Sequence, residues 1–134
     1  MATLIKERRV NNKKMEVLAQ KYTTNPNATT STVTQATNRT TAVELNTTAG
    51  NIVTDATSLA AEASANFTVT NDKVKVGDVV VLNIRSGSNG GNTAVSVVTV
   101  ADGSFVIKVS NHNAAAGTAE TGAIIINFIV LGVE

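Results

Sequence analysis

The segment AIIINFIVLG, residues 123–132, carries a single polar side chain, Asn127. A run this short does not span a bilayer as a helix, which takes about 20 apolar residues. Rich in β-branched Ile and Val, it suits the pleat of a sheet. Apolar side chains at both odd and even positions make it a central strand, apolar on both faces.

The rest of the chain after Ser31 is patterned for the same kind of layer. STVTQA and AVELN alternate apolar with polar residues, and ANFTVTN sets Phe67 and Val69 on one face against Thr68 and Thr70 on the other. NTTAGNIVTDA predicts a turn around Gly50, then a short strand with Ile52 and Val53. SLAAEA (58–63) reads as a helical turn or a loop, NDKVKVGD (71–78) as a polar connection, and VVVLNI (79–84) as a buried strand. RSGSNGGNT (85–93) and HNAAAGTAETG (112–122) have loop composition. AVSVVTV and SFVIKVSN flank ADGS as a hairpin, with four loop residues suiting a longer turn than the two-residue type. Seven or eight short strands between turn residues make an all-β sandwich or jelly-roll-like barrel.

Composition narrows the core. Only 3% of residues are aromatic and 16% are charged, against 43% hydrophobic. Typical soluble domains carry about 25% charge, so hydroxyls and amides must supply the polar surface. A core of Val, Ile, Leu and Ala buries little area per residue, which makes oligomerisation a natural supplement. The absence of cysteine excludes disulfides, thiolate metal sites and Cys nucleophiles.

Charge is unevenly spread. Residues 1–21 hold six basic and two acidic groups, a balance of +4, and residues 22–134 hold five basic and eight acidic, a balance of −3. Met15, Leu18, Ala19 and Tyr22 fall at i, i+3, i+4 and i+7, one stripe of a short helix. Residues 1–30, which include the only proline, Pro26, are therefore a basic arm and linker, and residues 31–134 a β-domain. KERRVNNKK interrupts any signal-like apolar stretch after Leu4 and Ile5, so the expectation is a chain made in a cytoplasm.

The arm could meet nucleic acid, a membrane or a protein. It lacks the aromatic side chains that stack on bases among its Lys and Arg, and the domain adds no basic face, which argues against nucleic acid. Its apolar stripe is narrow for a membrane surface. An acidic protein surface suits it best, with a solvated tail as the plain alternative.

Catalytic and metal-binding patterns are weak. His112, the sole histidine, lies between Asn111 and Asn113 with Ser110 and Glu120 nearby in sequence, but nothing fixes a triad. Glu44, Asp55, Glu62, Asp72, Asp78, Asp102 and Glu120 are scattered, without the tight spacing of a calcium loop. GSNGG lacks the Lys-Ser/Thr tail of a phosphate loop. The expectation is a protein that is not an enzyme and takes no cofactor or metal.

Taken together, TVTQATNRTTAVELNTTAGNIVTDATSLAAEASANFTVTNDKV, DVVVLNI, GSFVIKVSN and AIIINFIVLG resemble a family of small β-domains in virion structural proteins of tailed bacteriophages. The family includes capsid decoration (cement) proteins, head fibres and tail-fibre parts. The likeness covers about residues 32–131 and leaves the arm outside it. It implies a homotrimeric capsid decoration protein that sits on the virion surface and stabilises the shell. Its partner would be the major capsid protein, met through Lys6, Arg8, Arg9, Lys13 and Lys14, with Met15, Leu18 and Tyr22 on apolar capsid or neighbouring-subunit surface. The alternative is a tail-fibre or head-fibre module that reads a receptor or glycan with the loops at 85–93 and 111–122.

Overall fold

The computed structural model describes residues 31–132 other than Ser88 and Gly90. The expected arm or short helix of residues 1–30 lies outside the described residues. Among the described residues, eight strands run in the order β1 (Thr32–Thr34), β2 (Val43–Glu44), β3 (Ala49–Val53), β4 (Ser64–Thr70), β5 (Val79–Ser86), β6 (Thr93–Ala101), β7 (Ser104–Asn111) and β8 (Ile125–Leu131). They form two four-stranded sheets, β1-β3-β8-β5 and β2-β4-β7-β6, and the fold is an all-β sandwich. Every connection except the β6–β7 hairpin crosses from one sheet to the other. Two short pairs, β1 with β3 and β2 with β4, are parallel, and the rest are antiparallel.

Alternation along the strands fills the space between the sheets. Ile52, Ile126, Phe128 and Val130 come from the first sheet and Phe67, Val69, Phe105, Ile107 and Val109 from the second. Phe105 and Phe128 meet across the gap as a tilted pair, with centroids 5.4 Å apart. As expected, β8 is central, hydrogen-bonded to β3 on one side and β5 on the other.

The structure corrects four local expectations. Gly50 lies inside β3, not in a turn, and the position takes glycine because a Cβ there would stand 2.7 Å from Leu45 Cδ2 and 3.2 Å from Phe128 Cε1. Strand β5 is an edge strand and not a buried one: Val79 and Val81 are 48% and 47% exposed. The β6–β7 hairpin closes in two residues, Asp102 and Gly103, with Ala101 paired to Ser104 and Gly103 at φ 79°. Asp-Gly is suited to a two-residue turn, and the 71–78 connection braces it. Gly103 N–H donates to Val74 O, Asn71 N–H donates to Gly103 O, and Val76 N–H donates to Asp102 Oδ1. That connection is accordingly not wholly polar, since Val74 is fully buried beneath it. Of the two readings of residues 58–63, helical turn or loop, the loop is the one found, with Leu59 bridged to Glu120.

Candidate interaction surface

One end of the sandwich gathers the β1–β2, β3–β4, β5–β6 and β7–β8 connections, and two buried charges tie them together. In the β1–β2 loop, Asn38 Oδ1 accepts the Thr40 N–H at 2.9 Å, closing a turn beside Arg39. The Arg39 side chain, 4% exposed, donates to Thr57 O, Thr54 Oγ1, Gly122 O and Glu120 O. Burial pulls this guanidinium below the ordinary arginine range, while the Glu120 and Asp55 carboxylates act in the opposite direction. Glu120 is equally enclosed. Its Oε2 accepts Asn89 N–H at 2.6 Å and Thr93 Oγ1 at 2.7 Å, and its Oε1 accepts Gly122 N–H at 3.0 Å.

Asn111 completes the cluster, its Nδ2 donating to Leu59 O and Thr118 O. Beside it, Asp55 accepts both the hydroxyl and the backbone N–H of Thr57, which lowers its carboxyl below the usual range. The donors and acceptors of this cluster are engaged with the loops themselves. It is a structural clamp.

Gly87 enters the clamp in the left-handed region, at φ 90°, and a Cβ there would fall 2.0 Å from Ala123 O. Gly87→Ala is therefore expected to cost about 1–3 kcal/mol of stability. Chemical denaturation checks this, and Gly91→Ala, also at positive φ but with nothing within 4 Å, is the less costly comparison.

The residues weighed in the sequence are placed as follows. Lys6, Arg8, Arg9, Lys13, Lys14, Met15, Leu18 and Tyr22 lie outside the described residues. His112 is exposed and lines an open polar groove of about 390 Å³ with Glu62, Lys108 and Ser110. Glu120 does not join them, being buried and committed to Asn89, Thr93 and Gly122. Asp78 and Asp102 accept backbone N–H groups of Lys75 and Val76. Among the described residues no group of three or more His, Cys, Asp or Glu could hold a metal ion.

Sequence reasoning missed Arg39 and weighed Glu120 only as a triad or metal candidate, although a signal for the clamp existed. Each is the lone charge in a long neutral stretch, 22–43 and 109–133 respectively. An isolated charge amid strand and loop residues is a candidate for internal pairing, because no neighbouring charges mark its segment as solvated.

The outer faces of the two sheets differ. On β2-β4-β7-β6 the outward positions include Ser64, Asn66, Thr68 and Thr70 of β4, with Ser104, Lys108 and Ser110 of β7. That face is hydroxylated, as alternation in ANFTVTN predicts. On β1-β3-β8-β5 the outward positions include Thr34 of β1, Ala49 and Val53 of β3, Ile125, Ile129 and Leu131 of β8, and Val79, Val81 and Ser86 of β5. A single polar row crosses it, Thr32–Asn51–Asn127–Asn83, one residue from each strand. Asn51 Nδ2 reaches Thr32 Oγ1 at 3.5 Å, and Asn127 Oδ1 is covered without a hydrogen-bond partner. Arg85, at the bulge near the end of β5, is the only charged residue on this sheet's strands.

Comparison of the chain with family models, with curated proteins and with solved structures gives no match.

Proposed function

We propose that this protein is a structural subunit of a phage virion, a capsid decoration protein whose N-terminal segment grips the shell. The observation that supports the reading most is how charge is used. The buried charges Arg39 and Glu120 are committed to holding loops, and the strands of both sheets carry only Glu44, Arg85 and Lys108. A body built this way offers shape and sheet faces that carry few charges. Electrostatic attachment to an acidic lattice then falls to residues 1–21, with their balance of +4.

Exposed ion pairs contribute only about 0–1 kcal/mol each. Several arms on one homo-oligomer raise each other's effective concentration at the lattice, so weak contacts add up to durable attachment. The major capsid protein is the partner on this reading.

Deleting residues 1–22 should leave the sandwich folded, with an unchanged melting transition, and reduce binding to purified shells by about 100-fold or more. Binding at unchanged affinity would overturn the anchor role. Copy number separates decoration from the fibre alternative, with hundreds of subunits per particle expected for the former and a handful for the latter.

A further inference from the structure

We infer that the open groove beside His112 binds a neutral saccharide. Its floor is the outer face of β4 and β7, where Ser110 stands directly opposite Ser64 and Lys108 lies two residues back along β7. Glu62 of the β3–β4 connection and His112 of the β7–β8 connection form its walls. The volume of about 390 Å³ falls within the range of small-molecule sites, about 300–1,000 Å³. Both walls are fixed from beneath by one residue, Asn111, which is 1% exposed. Its backbone N–H donates to Ala63 O, its Nδ2 to Leu59 O and Thr118 O, and its Oδ1 accepts Asn113 N–H. A groove shaped before its ligand arrives avoids the cost of ordering loops on binding. The lining, by contrast, is uncommitted. Among the described residues the side chains of Glu62, Ser64, Lys108, Ser110 and His112 make no hydrogen bond and no ion pair, whereas those of the adjoining clamp are engaged. Glu62 also holds φ 63°, in the left-handed region that favours glycine. The chain therefore keeps a carboxylate at a strained position where nothing in the fold uses it.

The chemistry of the lining selects the ligand. It offers a carboxylate that accepts, an ammonium that donates, and hydroxyls and an imidazole that do both. An anion would sit against Glu62 and a cation against Lys108. A zwitterion would meet both charges, but exposed ion pairs contribute little, and Ser64 and Ser110 would go unused. A neutral polyhydroxylated ring presents donors and acceptors on every side, so each of these groups finds a partner. Ser64 and Ser110 face each other across the ladder, with Cβ atoms about 4.5–5.5 Å apart, a gap that one ligand hydroxyl bridges. The lining holds no aromatic ring to stack on the apolar face of a sugar, so binding should be weak, with a Kd of about 1 mM for a single groove. The inference does not rest on attachment to a shell, and its test uses the free chain.

Backbone amide NMR of the full-length chain, titrated with glucose, galactose, mannose and N-acetylglucosamine, is the measurement. The expected result is saturable shifts confined to residues 62–64 and 108–114 with at least one of these sugars. Lys108→Ala and Glu62→Gly should each raise the Kd for that sugar by about five-fold or more. Glu62→Gly is the sharper variant, because glycine accepts the left-handed backbone and should leave the melting temperature close to wild type while binding falls. Ser104→Ala, outward on β7 but beyond the groove, should leave the Kd unchanged. Absence of shifts in these residues with every neutral sugar would overturn the inference. Shifts produced only by glucuronate, glucosamine or glycine would overturn it too, since the groove would then serve charged ligands. A wild-type Kd for both folded variants, Glu62→Gly and Lys108→Ala, would place the sugar elsewhere and have the same consequence.

Discussion

Replacing Arg39 with alanine is expected to lower the unfolding free energy by about 3–5 kcal/mol, the range for breaking a buried, hydrogen-bonded charge arrangement. The guanidinium donates to carbonyls or hydroxyls at Thr54, Thr57, Glu120 and Gly122, on two separate connections. Its loss takes the donor from Thr57 O and Gly122 O, while Glu120 O keeps the Leu59 N–H and Thr54 Oγ1 the Ile124 N–H, and it removes a positive charge beside the buried Glu120. For a domain of this size 1 kcal/mol corresponds to about 4–8 °C, so the melting temperature should fall by more than about 12 °C. Arg39→Lys should recover only part of the loss, because an ammonium cannot reproduce the planar fork of donors. Urea denaturation of the three proteins is the measurement. A loss below about 1 kcal/mol for Arg39→Ala would mean that water replaces the side chain and that the loops do not rely on it.

Phe105→Ala should be comparably costly, about 3–5 kcal/mol. The chain has only three phenylalanines, and Phe105 and Phe128 occupy the gap between the sheets at 1% and 3% exposure. Both partners lie on strands flanked by neighbours, β7 and β8, so the backbone has little freedom to close the cavity. The tilted pair contributes about 0.5–1.5 kcal/mol beyond the area it buries. A double-mutant cycle with Phe128→Leu isolates that term. By contrast Ile107→Val, on the same strand and fully buried, should cost about 1 kcal/mol. If Phe105→Ala cost no more than Ile107→Val, the sheets would have to be collapsing onto the vacancy.

Much of the fold was legible because a strand's side chains alternate with a period of two. Phe67 and Val69 face inward, and Thr68 and Thr70 outward, as ANFTVTN requires. AIIINFIVLG is the central strand of its sheet, as its two apolar faces require. The errors have a common origin in partners far along the chain. Nothing local to Gly50 announces that Leu45 and Phe128 press against it, so it resembled a turn glycine. ADGS reads as a four-residue loop because the pairing of Ala101 with Ser104 depends on the register of two whole strands. VVVLNI resembled a buried strand because its apolar content is visible in the sequence, whereas its position at a sheet edge is not. The clamp was hidden for the same reason, since Arg39 and Glu120 stand 81 residues apart.

The sequence by itself determined the class of structure: β-branched and alternating residues, few aromatics and no cysteine leave a thin layered sheet core as the form this chain can take. It also determined where charge lies, because net charge along a chain needs no folding to be counted. Only the tertiary structure decided which strands became neighbours, which glycines bore close contacts, and that the lone charges at 39 and 120 turned inward. The physical reason is range: alternation and turn chemistry act over a few residues, whereas packing, register and the enclosure of a charge depend on groups that only the finished fold brings together.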